Sequence, residues 1–274
     1  MKSHGRNATP ILSSPVLSLI VPAYNEVRTI QRTLADIQAH LDGRSVRYEI
    51  IVAADGTDGT REKVMEIGKA DARLTVLGSP ERTGKGRGIR LAAARARGDI
   101  VGFTDADGKT PAAEMDKLLP WLDEGYDLVI GSRGVSGSRV EVPQRLHRRI
   151  GARAFGVAMH LVLGLWDIRD TQCGFKFFRG SVARDLFGRQ RIDGYMFDVE
   201  ILHLAERAGY RIKEVGVRWR DDADSRLDLV SGNWRNMMDI LRIRFADYGR
   251  PPQAPAPVPE SATGPAPPGN GDTP

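Results

Sequence analysis

Five short apolar runs, LSLIVP (17–22), YEIIVA (48–53), RLTVL (73–77), DIVGFT (99–104) and DLVIGS (127–132), recur through the first half of the chain with helix-period segments between them. Runs that are apolar at successive rather than alternate positions suit strands covered on both faces. Their alternation with helices predicts an α/β fold, a mostly parallel central sheet flanked by helices in a single domain. That domain is expected over 16–247. It follows a polar, proline-broken segment (1–15) and precedes a tail (248–274), and nine of the 16 prolines fall between 250 and 274. Both ends carry the composition of disordered segments.

In open parallel sheets ligands collect beyond the carboxyl ends of the strands. The five runs are followed there by PAYNE, ADGTDGT, PERTGKGRG, DADGKT and GSR. Each segment alone suits a turn or a helix cap; five together, all directed into one cleft, are poorly explained by turn chemistry. Asp105 and Asp107 flank Ala106, and strand alternation turns both carboxylates to one side. Two adjacent hard oxygen ligands suit Mg²⁺ or Mn²⁺, which keep waters and bind substrate phosphates; the competing reading is a helix-capping acid ahead of Pro111. Gly84 to Gly88 (GKGRG) precede a helical segment and offer backbone N–H groups and Lys85 to a phosphate, but they lack the spacing of a Walker A or dinucleotide loop.

The net charge of +5 is mild for a nucleic-acid binder, so no nucleic-acid partner is expected. It suits phosphate-bearing substrates or an anionic lipid surface. The single cysteine, Cys173, excludes an internal disulfide framework and fits a reducing cytoplasm. The run from Val16 to Val21 is too short for a signal-peptide core, and no stretch reaches the roughly 18 to 20 apolar residues needed to cross a bilayer. Any membrane contact is therefore expected to be peripheral, on the inner face, unless a membrane-protein partner supplies the anchor.

PAYNE, the DGTDGT segment, GKG, DAD and GSR, in this order and spacing, resemble family 2 glycosyltransferases of the GT-A (Rossmann-like) fold. The second half resembles a narrower group: IRDTQCGFKFF (168–178), YMFDVEIL (195–202) and VRWRDDADSRL (217–227) are similar to dolichyl-phosphate β-glucosyltransferases and, more loosely, to dolichyl-phosphate mannose synthases. The resemblance spans roughly 16–247. It implies a nucleotide-sugar donor, a lipid-phosphate acceptor and a divalent metal. Position by position, it implies that Pro22, Ala23, Tyr24, Glu26 and Asp55 hold the nucleoside with Lys85 nearby, and that Asp105, Ala106 and Asp107 hold the metal and diphosphate. Arg133 and Lys176 would meet the donor, and Arg133, Arg145, Arg148, Arg149 and Arg226 the acceptor phosphate. Two departures stand out. Ala53 and Ala54 precede Asp55 where relatives usually carry adjacent aspartates, and Lys109 stands where mannose synthases place a further metal-side residue.

A phosphate acceptor, largely dianionic at neutral pH, needs no general base to deprotonate it, whereas a hydroxyl acceptor normally does. Asp170 and Asp198 are the candidates to position the nucleophile or the basic side chains, or to act as that base. Residues 154–166 are apolar on nearly every face with arginines ahead of them, and residues 233–245 place Trp234, Met237, Met238, Leu241 and Phe245 at helical spacing with arginines beside them. Both are candidates for seating at a bilayer surface; a buried core helix or a homo-oligomer contact is the alternative for 154–166. Three functions follow: transfer of glucose from UDP-glucose to a polyprenyl phosphate; a soluble transferase acting on a hydroxyl acceptor, or a GDP-mannose-using relative; and a nucleotide-sugar-binding scaffold with a degenerate site.

Overall fold

The computed structural model describes residues 16–44, 46–140, 156–157, 159–220 and 231–249. Among the described residues nine strands form: β1 (Val16–Tyr24), β2 (Arg47–Asp55), β3 (Leu74–Leu77), β4 (Ile100–Thr104), β5 (Leu128–Ser132), β6 (Arg139–Val140), β7 (Phe175–Arg179), β8 (Ile212–Gly216) and β9 (Arg218–Trp219). The helices are α1 (Ile30–Asp42), α2 (Thr60–Gly68), α3 (Lys85–Ala93), α4 (Met115–Asp123), α5 (Gly180–Arg189), α6 (Phe197–Arg207) and α7 (Ser231–Phe245). Residues 159–163 are also helical.

Seven strands make one sheet in the order β3-β2-β1-β4-β7-β5-β8, and β6 pairs with β9 in a small ribbon. The five apolar runs became β1 to β5. Within the sheet every pairing is parallel except those of β7, which runs antiparallel between β4 and β5. Because β7 runs against its neighbours, the loop leading into it arrives at their carboxyl ends.

Both faces are covered, which is why the strands are apolar at successive positions. Ile20, Ile51, Phe103, Ile130 and Phe178 point into one core with α3, α5, α6 and α7; Leu19, Val21, Ile50, Val52, Phe175 and Phe177 point into the other with α1 and α4. Lys176 falls in the register of the first group, opposite Phe103 and Ile130. Its side chain therefore enters the core layer that contains α6. The packed unit runs on to Tyr248, which is buried and donates to Glu200 Oε1 at 2.7 Å. The expectation for 1–15 concerns residues outside those described, as does that for the tail (248–274) from residue 250 on; Tyr248, expected in the tail, is part of the packed unit.

Candidate active site

The loops after β1 and β2 are locked to each other. Asn25, the only non-glycine with positive φ among the described residues, turns the chain out of β1, and its Oδ1 accepts from Thr57 N at 3.2 Å. Gly56 lies so close that a Cβ there would stand 2.1 Å from that oxygen. Asp58 accepts from Val27 N at 3.0 Å and from Thr60 N at 3.0 Å, while Thr60 Oγ1 accepts from Glu26 N at 2.8 Å. The PAYNE and ADGTDGT segments thus form one rigid rim.

Asp55, expected at the nucleoside, fixes the next loop. One carboxylate oxygen accepts from Ser79 N at 3.1 Å, the other from Thr83 N at 2.8 Å and Thr83 Oγ1 at 2.7 Å. This loop carries Arg82, whose guanidinium lies 4.5 Å over the half-exposed Tyr24 ring and donates to Tyr195 Oη at 3.2 Å. Arg82 thus bridges two half-exposed tyrosines, a surface chemically suited to a base. Pro22 is half-buried at the end of β1, whereas Ala23 and Ala106 are buried in the core beneath, so these two offer only backbone atoms. The Ala106 carbonyl accepts from Thr33 Oγ1 at 2.8 Å, which anchors the acidic turn to α1.

The glycines of GKGRG serve packing. A Cβ at Gly84 would meet Asp193 O at 2.2 Å and one at Gly86 would meet Ile192 O at 2.5 Å, while Arg87 N already donates to Asp193 O at 3.2 Å. The tight turn lets α3 press against residues 190–197, and the Lys85 side chain extends from it to the acidic turn. Lys85 Nζ lies 2.6 Å from Asp105 Oδ1. Burial works against its charge, but Asp105 and Asp198 outweigh burial and hold the ammonium well above its ordinary pKa.

Asp105 and Asp107 stand half-exposed at the end of β4. Lys109 covers Asp107, with Nζ 3.2 Å from Oδ2 and its amide donating to Oδ1 at 3.1 Å. Burial, and then the charge of Asp105, push the Asp107 carboxyl above its usual range against the pull of Lys109. Gly174 closes the other side of Asp105: a Cβ at 174 would lie 2.2 Å from Asp105 Oδ2. Only glycine leaves that carboxylate its place.

Arg133, at the end of β5, is two strand spacings from β4, about 10 Å across the sheet. Asp170 grips it as a fork, Nε to Oδ2 at 2.7 Å and one terminal NH₂ to Oδ1 at 2.8 Å, and Oδ2 also accepts from Arg133 N at 2.9 Å. Burial opposes the charge of both groups, but their pairing prevails: the Asp170 carboxyl lies below its ordinary range and the Arg133 guanidinium above. Behind them Glu214 of β8 accepts from Arg169 N at 3.1 Å and Asp170 N at 2.8 Å. Trp219 of β9 lies 5.1 Å from the Arg133 guanidinium and 5.8 Å from Lys109 Nζ.

Lys176, expected at the donor, is fully buried instead. Its ammonium donates to Thr171 O at 3.1 Å, Cys173 O at 2.7 Å and Asp198 Oδ1 at 2.6 Å. Its position in β7 turns it into the core, so it ties the 171–174 loop to α6 from behind. Burial raises the Asp198 pKa, and Lys176 and then Lys85 pull it back. Asp198 occupies the first turn of α6. Arg145, Arg148, Arg149 and Arg226 lie outside the described residues. Arg82, Tyr195, Glu214, Trp219 and the role of Gly174 escaped the sequence reading; all but Glu214 lay inside quoted motifs, and Glu214 alternates within a polar-looking strand.

The model of the glycosyl transferase family 2 domain matches residues 18–187. A dolichyl-phosphate beta-glucosyltransferase of Trichomonas vaginalis is 32% identical over 243 residues, 83% of this chain and 72% of that protein. Another, of Drosophila melanogaster, is 36% identical over 227 residues, 77% and 69% of the two. Among solved structures, glucosyl-3-phosphoglycerate synthase from Mycobacterium tuberculosis, in complex with Mn²⁺, uridine diphosphate and glucosyl-3-phosphoglycerate, superposes with a TM-score of 0.63 at 24% identity. The superposition covers 84% of this chain and 80% of that one, and it shows a shared fold. On the family match and these relatives, the chain belongs to glycosyl transferase family 2 and is a nucleotide-sugar-dependent glycosyltransferase.

Proposed function

We propose that the protein transfers glucose from UDP-glucose to the phosphate of a polyprenyl (dolichyl-type) lipid with inversion at the sugar, through a catalytic unit spanning 16–247. One observation carries the choice of acceptor: both candidate bases are committed to cations. Asp170 holds Arg133, which makes it a poor proton acceptor, and Asp198 is buried against Lys176. A hydroxyl acceptor normally needs a base; a phosphate dianion needs only to be desolvated, neutralised and aimed. The names of the relatives point the same way.

Asp105 and Asp107 are the residues that would hold Mg²⁺ or Mn²⁺. The donor set fits: two half-exposed carboxylates on one turn, with the Gly174 backbone packed against Asp105 and holding its carboxylate in place. Among the described residues no group of three or more His, Cys, Asp or Glu is placed to hold an ion, so diphosphate oxygens and water would complete the shell. When bound, the ion neutralises charge developing on the leaving diphosphate. Lys85 and Lys109, already paired with these aspartates, can turn to the same phosphates. Tyr24, Arg82 and Tyr195 wall the base. Asp170 takes the Nε edge of Arg133 and holds the guanidinium rigid, so that its outer edge, formed by the two terminal NH₂ groups, can meet a phosphate. Such an acceptor requires work at a membrane surface; the lone cysteine fits the cytoplasmic side.

The test is an assay with UDP-glucose, Mn²⁺ and a polyprenyl phosphate, reading UDP release and lipid-linked glucose by mass spectrometry. Asp105→Asn should lower turnover by about 100-fold or more, and Arg133→Ala should raise the KM for the lipid. Absence of a glucosylated lipid, or faster transfer to phosphoglyceric acid or from GDP-mannose, would overturn the assignment.

A further inference from the structure

Helix α7 is apolar on two opposite sides. Ile240 and Ile243 are buried in the core, yet Trp234, Met238, Leu241 and Phe245 form a second stripe at steps of four, three and four residues that faces solvent. Trp234 is 74% exposed and Phe245 80%. At 100° per residue, Arg235 and Arg242 border this stripe on one edge and Arg244 on the other. The helix has one acidic residue, Asp239, which is buried.

A second apolar patch lies on the same side of the sheet. In the helical turn before Gly164, Met159 and Leu163 are buried while Val157 and Leu161, one turn apart, are exposed, as is Trp166 just beyond. His203 of α6 is buried between the two segments, within electrostatic reach of the Leu163 backbone and of Arg244. Met159, Leu163, Ile240 and Ile243 all enter one core cluster, so the two exposed stripes belong to the same helical layer. His203 follows Asp198 by five residues on α6, roughly 7.5 Å along the axis. One helix thus carries both Asp198 and a residue buried beneath this surface.

We infer that the outer stripe of α7, with Val157, Leu161 and Trp166, is a seat for an anionic lipid bilayer that brings the cleft to its acceptor. The inference draws on the lipid-phosphate reading above for the nature of that acceptor. Two features of the surface favour lipid over a second copy of the chain. An apolar stripe with arginines along both borders matches acyl chains below and phosphate headgroups beside it, with tryptophans suited to the boundary. A two-fold dimer through the same face would set arginine rows against each other.

Vesicle flotation of the full chain provides the test, with phosphatidylcholine alone and with phosphatidylglycerol added. Binding is expected to the anionic vesicles and to weaken at about 0.5 M salt. The double variant Trp234→Ser/Phe245→Ser should bind about tenfold more weakly or less, while its UDP–Mn²⁺ thermal shift stays that of the parent. Arg235→Gln/Arg244→Gln should abolish the preference for anionic lipid. In the unmodified protein, brominated phospholipid should quench tryptophan emission, and Trp234→Phe should reduce that quenching. Failure of the parent to bind anionic vesicles would overturn the inference. So would binding unchanged in the double variant, or a dimer that the double variant dissociates. Vesicle binding without glucosyl transfer would sink the proposed activity and leave this surface standing.

Discussion

A methyl group at position 174 would stand 2.2 Å from one Asp105 oxygen and 2.6 Å from the other, too close for any conformer of that carboxylate to stay in place. Gly174→Ala is therefore expected to leave the fold standing, because a short half-exposed side chain can swing away. Metal-dependent UDP binding should weaken by about 10–100-fold, as when the support of a ligand is lost; calorimetric titration with UDP and Mn²⁺ checks it. Asp170→Asn tests the other side of the cleft. It keeps the shape but loses the charge that holds Arg133, and is expected to raise the KM for the acceptor more than it lowers kcat, measured by steady-state kinetics across lipid concentrations. The acidic turn and Arg133 were legible in the sequence because each ends an apolar run, where such sheets place ligands. Trp219, Tyr195 and Glu214 were not, because long stretches of chain separate them from the residues they meet, and no spacing rule spans such distances.

At the scale of elements, β7 unites the two ends of the cleft, and its one charged core residue decides how firmly. Lys176→Met removes three hydrogen bonds and leaves Asp198 buried without its closest partner. We expect a loss of about 3–5 kcal/mol in urea unfolding, and recovery of much of it in Lys176→Met/Asp198→Leu, since an apolar pair avoids the stranded charge. Strands β1 to β5 could be read from the sequence because burial on both faces writes itself as a continuous apolar run. FKFFR hid β7 behind a lysine, and IKEVG hid β8 behind alternation at the sheet edge. The antiparallel insertion of β7 is a property of pairing, which hydrophobic patterning does not encode. The two-sided character of α7 was visible as crowded apolar residues; which side meets the core emerged only from packing.

Across the whole molecule, Glu49 and Glu114 lie buried beside cations and set an acid limit. Burial pushes against their charge, but Arg97 and Ser18 around Glu49, and Lys117 and Arg218 around Glu114, prevail, and both carboxyls titrate below their ordinary 4.5. A lowered folded pKa means that the unfolded chain takes up protons first. The stability from these pairs is complete above about pH 4.5 and drains away as pH falls through the folded values. Glu49→Gln should cost about 1–2 kcal/mol near neutrality, given that Arg97 is largely solvated, and should flatten the acid limb of a plot of Tm against pH. The place of β7 has a consequence for how the chain matures. Strands β1 to β4 can pair among themselves once residue 104 is made, whereas β5 finds no sheet neighbour until β7 emerges some forty residues later. A nascent chain thus carries the acidic turn well before the glycine that seats it. The two halves of the cleft cannot face each other before that strand is in place.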